Sequence, residues 1–172
     1  MDDFLRSLPQ RFSIFDTHAM AQAVQLAEKG LYTTSPNPRV GCILSKNQQI
    51  ISSGWHQQAG YGHAEIEALN AAGDHASGCT AYVTLEPCSH HGKTPPCCDA
   101  LIQAGITRVV AAMIDPNPKV AGTGLKKLHD TGIDVSFGLS ETTFLICWAH
   151  CIAPHLITLH FRCICTLFFK KF

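Results

Sequence analysis

The chain has 172 residues, of which 46% are hydrophobic and 15% charged, enough for one ordinary domain with a real core and too apolar for a disordered tail. The formal net charge is zero, so there is no broad basic field of the kind that holds a long nucleic acid. The start, Met1-Asp2-Asp3, lacks the basic then apolar run of an export signal, which makes the cytoplasm the expected compartment, where nine cysteines point to metal binding or burial rather than disulfides.

Residues 1–15 read as a loose lead-in. Asp16-Thr17 is a candidate cap for a helix running to about Lys29, with Gly30 as its stop. Val40 to Ser45 is a short apolar run, Lys46-Asn47 a turn, and Gln49 to His56 a second strand. A helix is expected from His63 to just before Gly73, a strand at Ala81–Leu85 and a helix at Pro96–Ala104 closed by Gly105. Arg108–Ile114 is a strand, Thr123–Thr131 a helix and Asp134–Leu139 a final strand. This order, αββαβαβαβ, predicts a three-layer α/β/α sandwich around a five-stranded mixed sheet. The helix at 123–131 is a crossover, so the last two strands should be parallel.

Composition changes near Ser140. From there to Phe172 the only charged residues are Glu141, Arg162, Lys170 and Lys171, and four cysteines, Cys147, Cys151, Cys163 and Cys165, sit among them. Residues 142–161 carry no formal charge and just reach membrane-span length, but His150, Pro154, His155 and His160 interrupt them. The expected division is a catalytic domain over 1–139 and an atypical apolar, cysteine-rich tail over 140–172 that is not part of the domain fold, with no membrane span.

The chemistry is concentrated between His63 and Cys98. His63-Ala64-Glu65 opens a helix, Pro87-Cys88 follows a strand, and Cys97 follows Pro95-Pro96 at the next helix start. One imidazole and two thiolates form the three-ligand set of a catalytic zinc, which keeps a fourth position for water. A helix N-terminus carries partial positive charge and favours thiolate, so Cys97, and Cys88 if it points the same way, are primed for metal. Glu65 need not be a ligand and is placed to move a proton. The H-x-E and P-C-x-x-C signature of zinc deaminases fits here, except that eight residues, rather than two, separate Cys88 from Cys97. That loop contains His90, His91, Lys93 and Thr94, and a basic side chain with hydroxyl and backbone donors beside a metal suits a phosphate.

The loop Pro87-Cys88-Ser89-His90-His91-Gly92-Lys93-Thr94-Pro95-Pro96-Cys97 resembles that of the deaminase half of the bifunctional riboflavin-biosynthesis deaminase-reductases. Ser35 to Gly41 resembles the family's substrate-side loop, and Asp115 to Val120 with Gly122 and Gly124 its second loop, so the resemblance covers about residues 14–139. It implies a cytidine-deaminase-like fold, zinc as the cofactor, and His63, Cys88 and Cys97 as ligands with Glu65 catalytic. It implies a phosphorylated pyrimidine substrate, 2,5-diamino-6-ribosylamino-4(3H)-pyrimidinone 5′-phosphate, deaminated to an aminouracil and ammonia. By the same analogy Asn37, His56, Ala64, His90, Lys93, Thr94, Asp115 and Asn117 line the substrate site, with Lys93 and His90 at the phosphoribosyl end. Read singly, Asn37 and Asn117 are also ordinary turn residues beside proline, His56 a strand-end histidine and Asp115 a strand-to-loop cap. The reductase half has no counterpart here, so no reductase activity is expected and a separate reductase would serve the next step. A homo-oligomer is compatible with the sequence, and nucleic acid is not an expected partner. Two rival readings are a deaminase of another nucleobase or nucleoside and an inactive zinc-binding remnant.

Four features near the site are expected to be structural. Cys98 adjoins Cys97, but adjacent side chains on a helix point apart. Cys42 and Cys79 read as small apolar residues, and Glu86 as a carboxylate bonded to backbone rather than a second base.

Overall fold

Alternation along the strands sorts the buried side chains onto two faces of one sheet. In the computed structural model, which describes residues 2–8, 11–91, 95–117 and 120–139, Cys42 and Leu44, Ala81 and Val83, Val109 and Val135 belong to one core, whereas Ile43, Tyr82 and Val110 belong to the other. The first core is covered by α3 (Ala64–Ala72), α4 (Cys97–Gln103) and α5 (Thr123–Asp130), the second by α2 (Ile14–Glu28). The result is the three-layer α/β/α sandwich the pattern predicts.

The sheet holds β1 (Gly41–Lys46), β2 (Gln49–Trp55), β3 (Thr80–Val83), β4 (Arg108–Ala111) and β5 (Asp134–Phe137), in the spatial order β2-β1-β3-β4-β5. β1 runs antiparallel to both neighbours, and β3, β4 and β5 are mutually parallel. β1 and β2 join through Asn47 and Gln48, both at positive φ (52° and 59°), the two-residue turn whose twist matches the strands. Alanines at helical spacing let the layers approach closely: Ala64, Ala68 and Ala72 on α3, and Ala19, Ala23 and Ala27 on α2. Gly54 of β2 lies so close to α3 that a Cβ there would run into the backbone of Ala64 and Ala68.

The N-terminal region departs from expectation. The lead-in expected over 1–15 contains an ordered helix: α1 (Asp2–Ser7) packs Phe4 and Leu5 on the core under α5, and the ring of Phe4 meets His129 edge-on. Nor does Asp16 cap the next helix. Ser13 is the N-cap, its hydroxyl accepting from the Asp16 N–H at 3.1 Å while Asp16 Oδ2 accepts from the Ser13 N–H at 2.7 Å. The other face of the Asp16 carboxylate is bound by residues far along the chain, the Tyr82 hydroxyl at 2.6 Å and the Arg108 guanidinium at 2.8 and 3.3 Å. Gly30 closes α2 without a left-handed turn; a side chain there would strike Thr34 and the His56 carbonyl. The strands also end earlier than their apolar runs, β3 at Val83 and β4 at Ala111.

Register explains where that site falls. Gly41 pairs with Trp55, Cys42 with Val83, and Val83 with Ala111. The approach to β1 and the exits of β2, β3 and β4 therefore emerge at one end of the sheet, the carboxyl end of the parallel strands, where open α/β sheets bind ligands. The tail expected over 140–172 lies outside the described residues. Among the described residues no helix is long and apolar enough to cross a membrane, and all cysteines are free.

Candidate metal centre and substrate cleft

Three segments that leave this end of the sheet converge. His63 is the N-cap of α3, with extended φ and ψ of −71° and 161°; Cys88 lies beyond β3; Cys97 is the first residue of α4. His63 Nδ1 stands 3.1 Å from Cys97 Sγ and 3.6 Å from Cys88 Sγ, and the three donor atoms all lie within 4.8 Å of one another. Nitrogen and sulfur ligands on a tetrahedral zinc sit about 3.5–3.8 Å apart, so the donor set and its spacing fit such an ion, bound through Nδ1. The backbone N–H of Cys97 at the start of α4 donates to Cys88 Sγ at 3.3 Å, so the positive helix end serves the other sulfur directly.

That contact shapes the charge. Hydrogen bonding from the Cys97 thiol, opposed by burial and joined by His63, holds the Cys88 thiol below its ordinary value. The same sulfur–sulfur contact and burial push Cys97 up, so the two thiols titrate as a pair. His63 is raised, first by its hydrogen bond to Cys88. Cys98 points the other way, its thiol directed at the Pro87 and Gly124 carbonyls at 3.3 and 3.5 Å and its pKa raised by burial, which is the structural role expected of it.

Two buried carboxylates flank the centre and have opposite environments. Glu65, on the first turn of α3, is 3% exposed; burial pushes its carboxyl up to about 7, against hydrogen bonding from its own backbone N–H and the charge of His63. Glu86, 4% exposed, spends both oxygens on the main chain: Oε2 accepts from Asp115 and Gly122 at 3.1 and 2.9 Å, and Oε1 from Gly124 and Leu125 at 2.7 and 3.3 Å. Gly122 at the N-cap of α5 has no side chain to offer those amides, and Glu86 supplies the cap from a neighbouring loop. A Cβ at Gly124 would overlap the Pro87 carbonyl, so this glycine lets α5 sit against the Cys88 loop.

Above these groups opens a cleft of about 540 Å³ lined by Asn37, His56, His63, Glu65, Cys88, His90 and Asp115, among others. Of the residues expected at the substrate, Asn37, His56, His90 and Asp115 thus come together there. Ala64 does not: its side chain is fully buried in the core under α3. Asn117 is not among the lining residues; it sits in an exposed turn where its N–H bonds Asp115 Oδ1 at 2.8 Å. Lys93 and Thr94 lie outside the described residues. Pro36, Pro38 and Val40 of the expected substrate-side loop also line the cleft, as does Glu86, whereas sequence reasoning missed Ala59, Gly60, Tyr61 and Leu85. The segment 57–62 that carries three of them is tied to the 30–34 turn by Ala59 N–H to Thr33 C=O at 3.3 Å and by the Thr33 hydroxyl on Gln57 C=O.

A His-Cys-Cys donor cluster able to hold a metal, with a buried glutamate at the floor of a cleft on a sheet of this topology, defines a class that comparison with known proteins bears out. A family model described as the cytidine and deoxycytidylate deaminase zinc-binding region matches residues 13–113, and the chain belongs to that family. Within it the chain groups with the diaminohydroxyphosphoribosylamino-pyrimidine deaminases. It is 55% identical over 124 residues to the protein of that name from Buchnera aphidicola subsp. Schizaphis graminum, covering 72% of this chain and 84% of that one. It is 62% identical over 124 residues to the riboflavin biosynthesis protein RibD of Escherichia coli, of which it spans 34%. The structure of RibD from Acinetobacter baumannii (form 2) superposes with a TM-score of 0.78 at 48% identity, covering 81% of this chain and 40% of that one.

Proposed function

We propose that the chain catalyses the zinc-dependent hydrolytic deamination of 2,5-diamino-6-ribosylamino-4(3H)-pyrimidinone 5′-phosphate, consuming water and releasing ammonia and 5-amino-6-(5-phosphoribosylamino)uracil, in the cytoplasm. The observation that carries this reading is Glu65, a carboxyl buried in the cleft beside three convergent metal donors. In this assignment His63, Cys88 and Cys97 hold zinc, which when bound supplies a Lewis acid that lowers the pKa of water. Glu65 takes one proton from the attacking water and delivers it to the ring nitrogen, then takes the second from the hydroxyl of the tetrahedral adduct and passes it to the amino group, which leaves as ammonia as the C–N bond breaks and the carbonyl forms. Asp115 and Asn37 contact the ring or ribose, and His90, Lys93 and Thr94 the phosphoribosyl end. The similarity to named deaminases of this substrate supports the choice.

Ammonia release tests it. Zinc-loaded protein is incubated with the phosphorylated pyrimidine, its dephosphorylated analogue, cytidine, deoxycytidylate and guanine. The phosphorylated pyrimidine should be consumed with by far the highest kcat/KM; a preference for any of the last three would overturn the substrate assignment.

A further inference from the structure

His56 is buried in the cleft wall, 3% exposed, at the exit of β2, where its N–H donates to the Val40 carbonyl at 2.9 Å. Its ring has two polar atoms and both are engaged. Nδ1 lies 3.0 Å from the Gly62 carbonyl, which only accepts, so Nδ1 carries the hydrogen. Nε2 lies 3.3 Å from Asn37 Nδ2, which only donates, so Nε2 presents its lone pair. No polar atom of the ring remains for a substrate. Asn37, by contrast, is half-buried on the loop before β1, with its backbone N–H held by the Thr34 carbonyl at 2.7 Å, and its amide has one group left over.

We propose that His56 is a positioning residue that acts through Asn37: by taking the amide nitrogen, it turns the Asn37 side-chain oxygen into the cleft as a fixed acceptor for a hydrogen-bond donor of the substrate. The chain of contacts, from the Gly62 carbonyl through the imidazole to the amide, begins at the residue before His63. The orientation of the acceptor is thereby tied to the backbone that also places the metal ligand. The inference rests on the deaminase reading for its kinetic consequence, but not for its geometry.

A double-mutant cycle on the zinc-loaded enzyme reads the coupling. Asn37→Ala should lower kcat/KM by about ten-fold or more, the scale of one well-formed hydrogen bond. His56→Ala should lower it by a similar or smaller factor, and the double variant should be no worse than Asn37→Ala alone. Losses that multiply would mean that His56 meets the substrate independently, and would overturn the proposal. Zinc content is measured for each variant. A second measurement needs neither turnover nor substitution: ¹⁵N NMR of His56 in the zinc-loaded wild type should show a protonated Nδ1 and a bare Nε2, and a proton on Nε2 would overturn the proposal. Absence of any ammonia release by the wild type would count against the deaminase reading, while the NMR result would still decide the orientation.

Discussion

Replacing Glu86 by glutamine separates two carboxylates that the sequence places side by side with the metal ligands. The change keeps shape and removes charge, yet converts one oxygen into an NH₂ that must face two backbone N–H groups. Whichever oxygen is replaced, two of the four bonds at 2.7–3.3 Å are lost and two buried donors are left facing a third. Hydrogen bonds to a charged group are worth about 1.5–3 kcal/mol each, so after some relaxation the cost should be about 3–5 kcal/mol. That is a large part of a typical stability of about 5–15 kcal/mol. For a chain of this size it corresponds to a fall in Tm of roughly 6–20 °C. Thermal melting of zinc-loaded wild type and Glu86→Gln, followed by circular dichroism, gives the comparison. A drop under about 2 °C would refute the view that Glu86 is the cap of α5 and the anchor of the Asp115 loop.

Asp16 should mark its partners in the acid limb of stability. Burial would raise its carboxyl, but hydrogen bonds from Arg108, Tyr82 and Ser13 outweigh this and hold it at about 2, below its ordinary 3.8. A depressed carboxyl stabilises fully above its unfolded value and loses that contribution as pH falls through the folded one. With screening allowed for, the stability gap between wild type and Asp16→Asn should therefore shrink by about 1–2 kcal/mol between pH 5 and pH 2.5 in urea titrations; a gap independent of pH would contradict the assignment. Cys88→Ser and Cys97→Ser should each lose bound zinc in elemental analysis, whereas Cys98→Ser should retain it; the reverse pattern would reassign the ligands. A chain ending at Leu139 should bind zinc and release ammonia like the full chain, and a truncated form that fails to fold would move the domain boundary.

The cluster of metal-donor residues was legible in the sequence because only a few residue types ligate zinc, and their spacing against a helix start and a strand end is restrictive. His63, Cys88 and Cys97 could be named even with an unusually long loop between the sulfurs. The sandwich was legible from the order of strand and helix patterns, and a continuous apolar run such as Cys42-Ile43-Leu44 supplies both cores. Asp16 was misread because its local pattern suits an N-cap and its decisive partners, Tyr82 and Arg108, are 66 and 92 residues away in sequence. α1 was missed because it is short and gains its stability by docking on the core near α5 rather than from its own periodicity. The cleft rim built by Ala59, Gly60 and Tyr61 has no chemical signature; such residues are common in loops, and only the fold brings these to the site. The tautomer of His56 depends on the Gly62 carbonyl, and a backbone orientation cannot be read from residue letters.

The central claim is that Glu65 carries the proton for a deamination at this metal centre, and Glu65→Gln tests it most directly. The amide fills the same buried space but cannot take a proton from water or return one to the leaving amine. Ammonia release from the phosphorylated pyrimidine, measured with zinc content and Tm, should fall by at least about 100-fold while zinc stoichiometry stays at the wild-type level. Turnover within a few-fold of wild type in a zinc-replete Glu65→Gln protein would contradict the account.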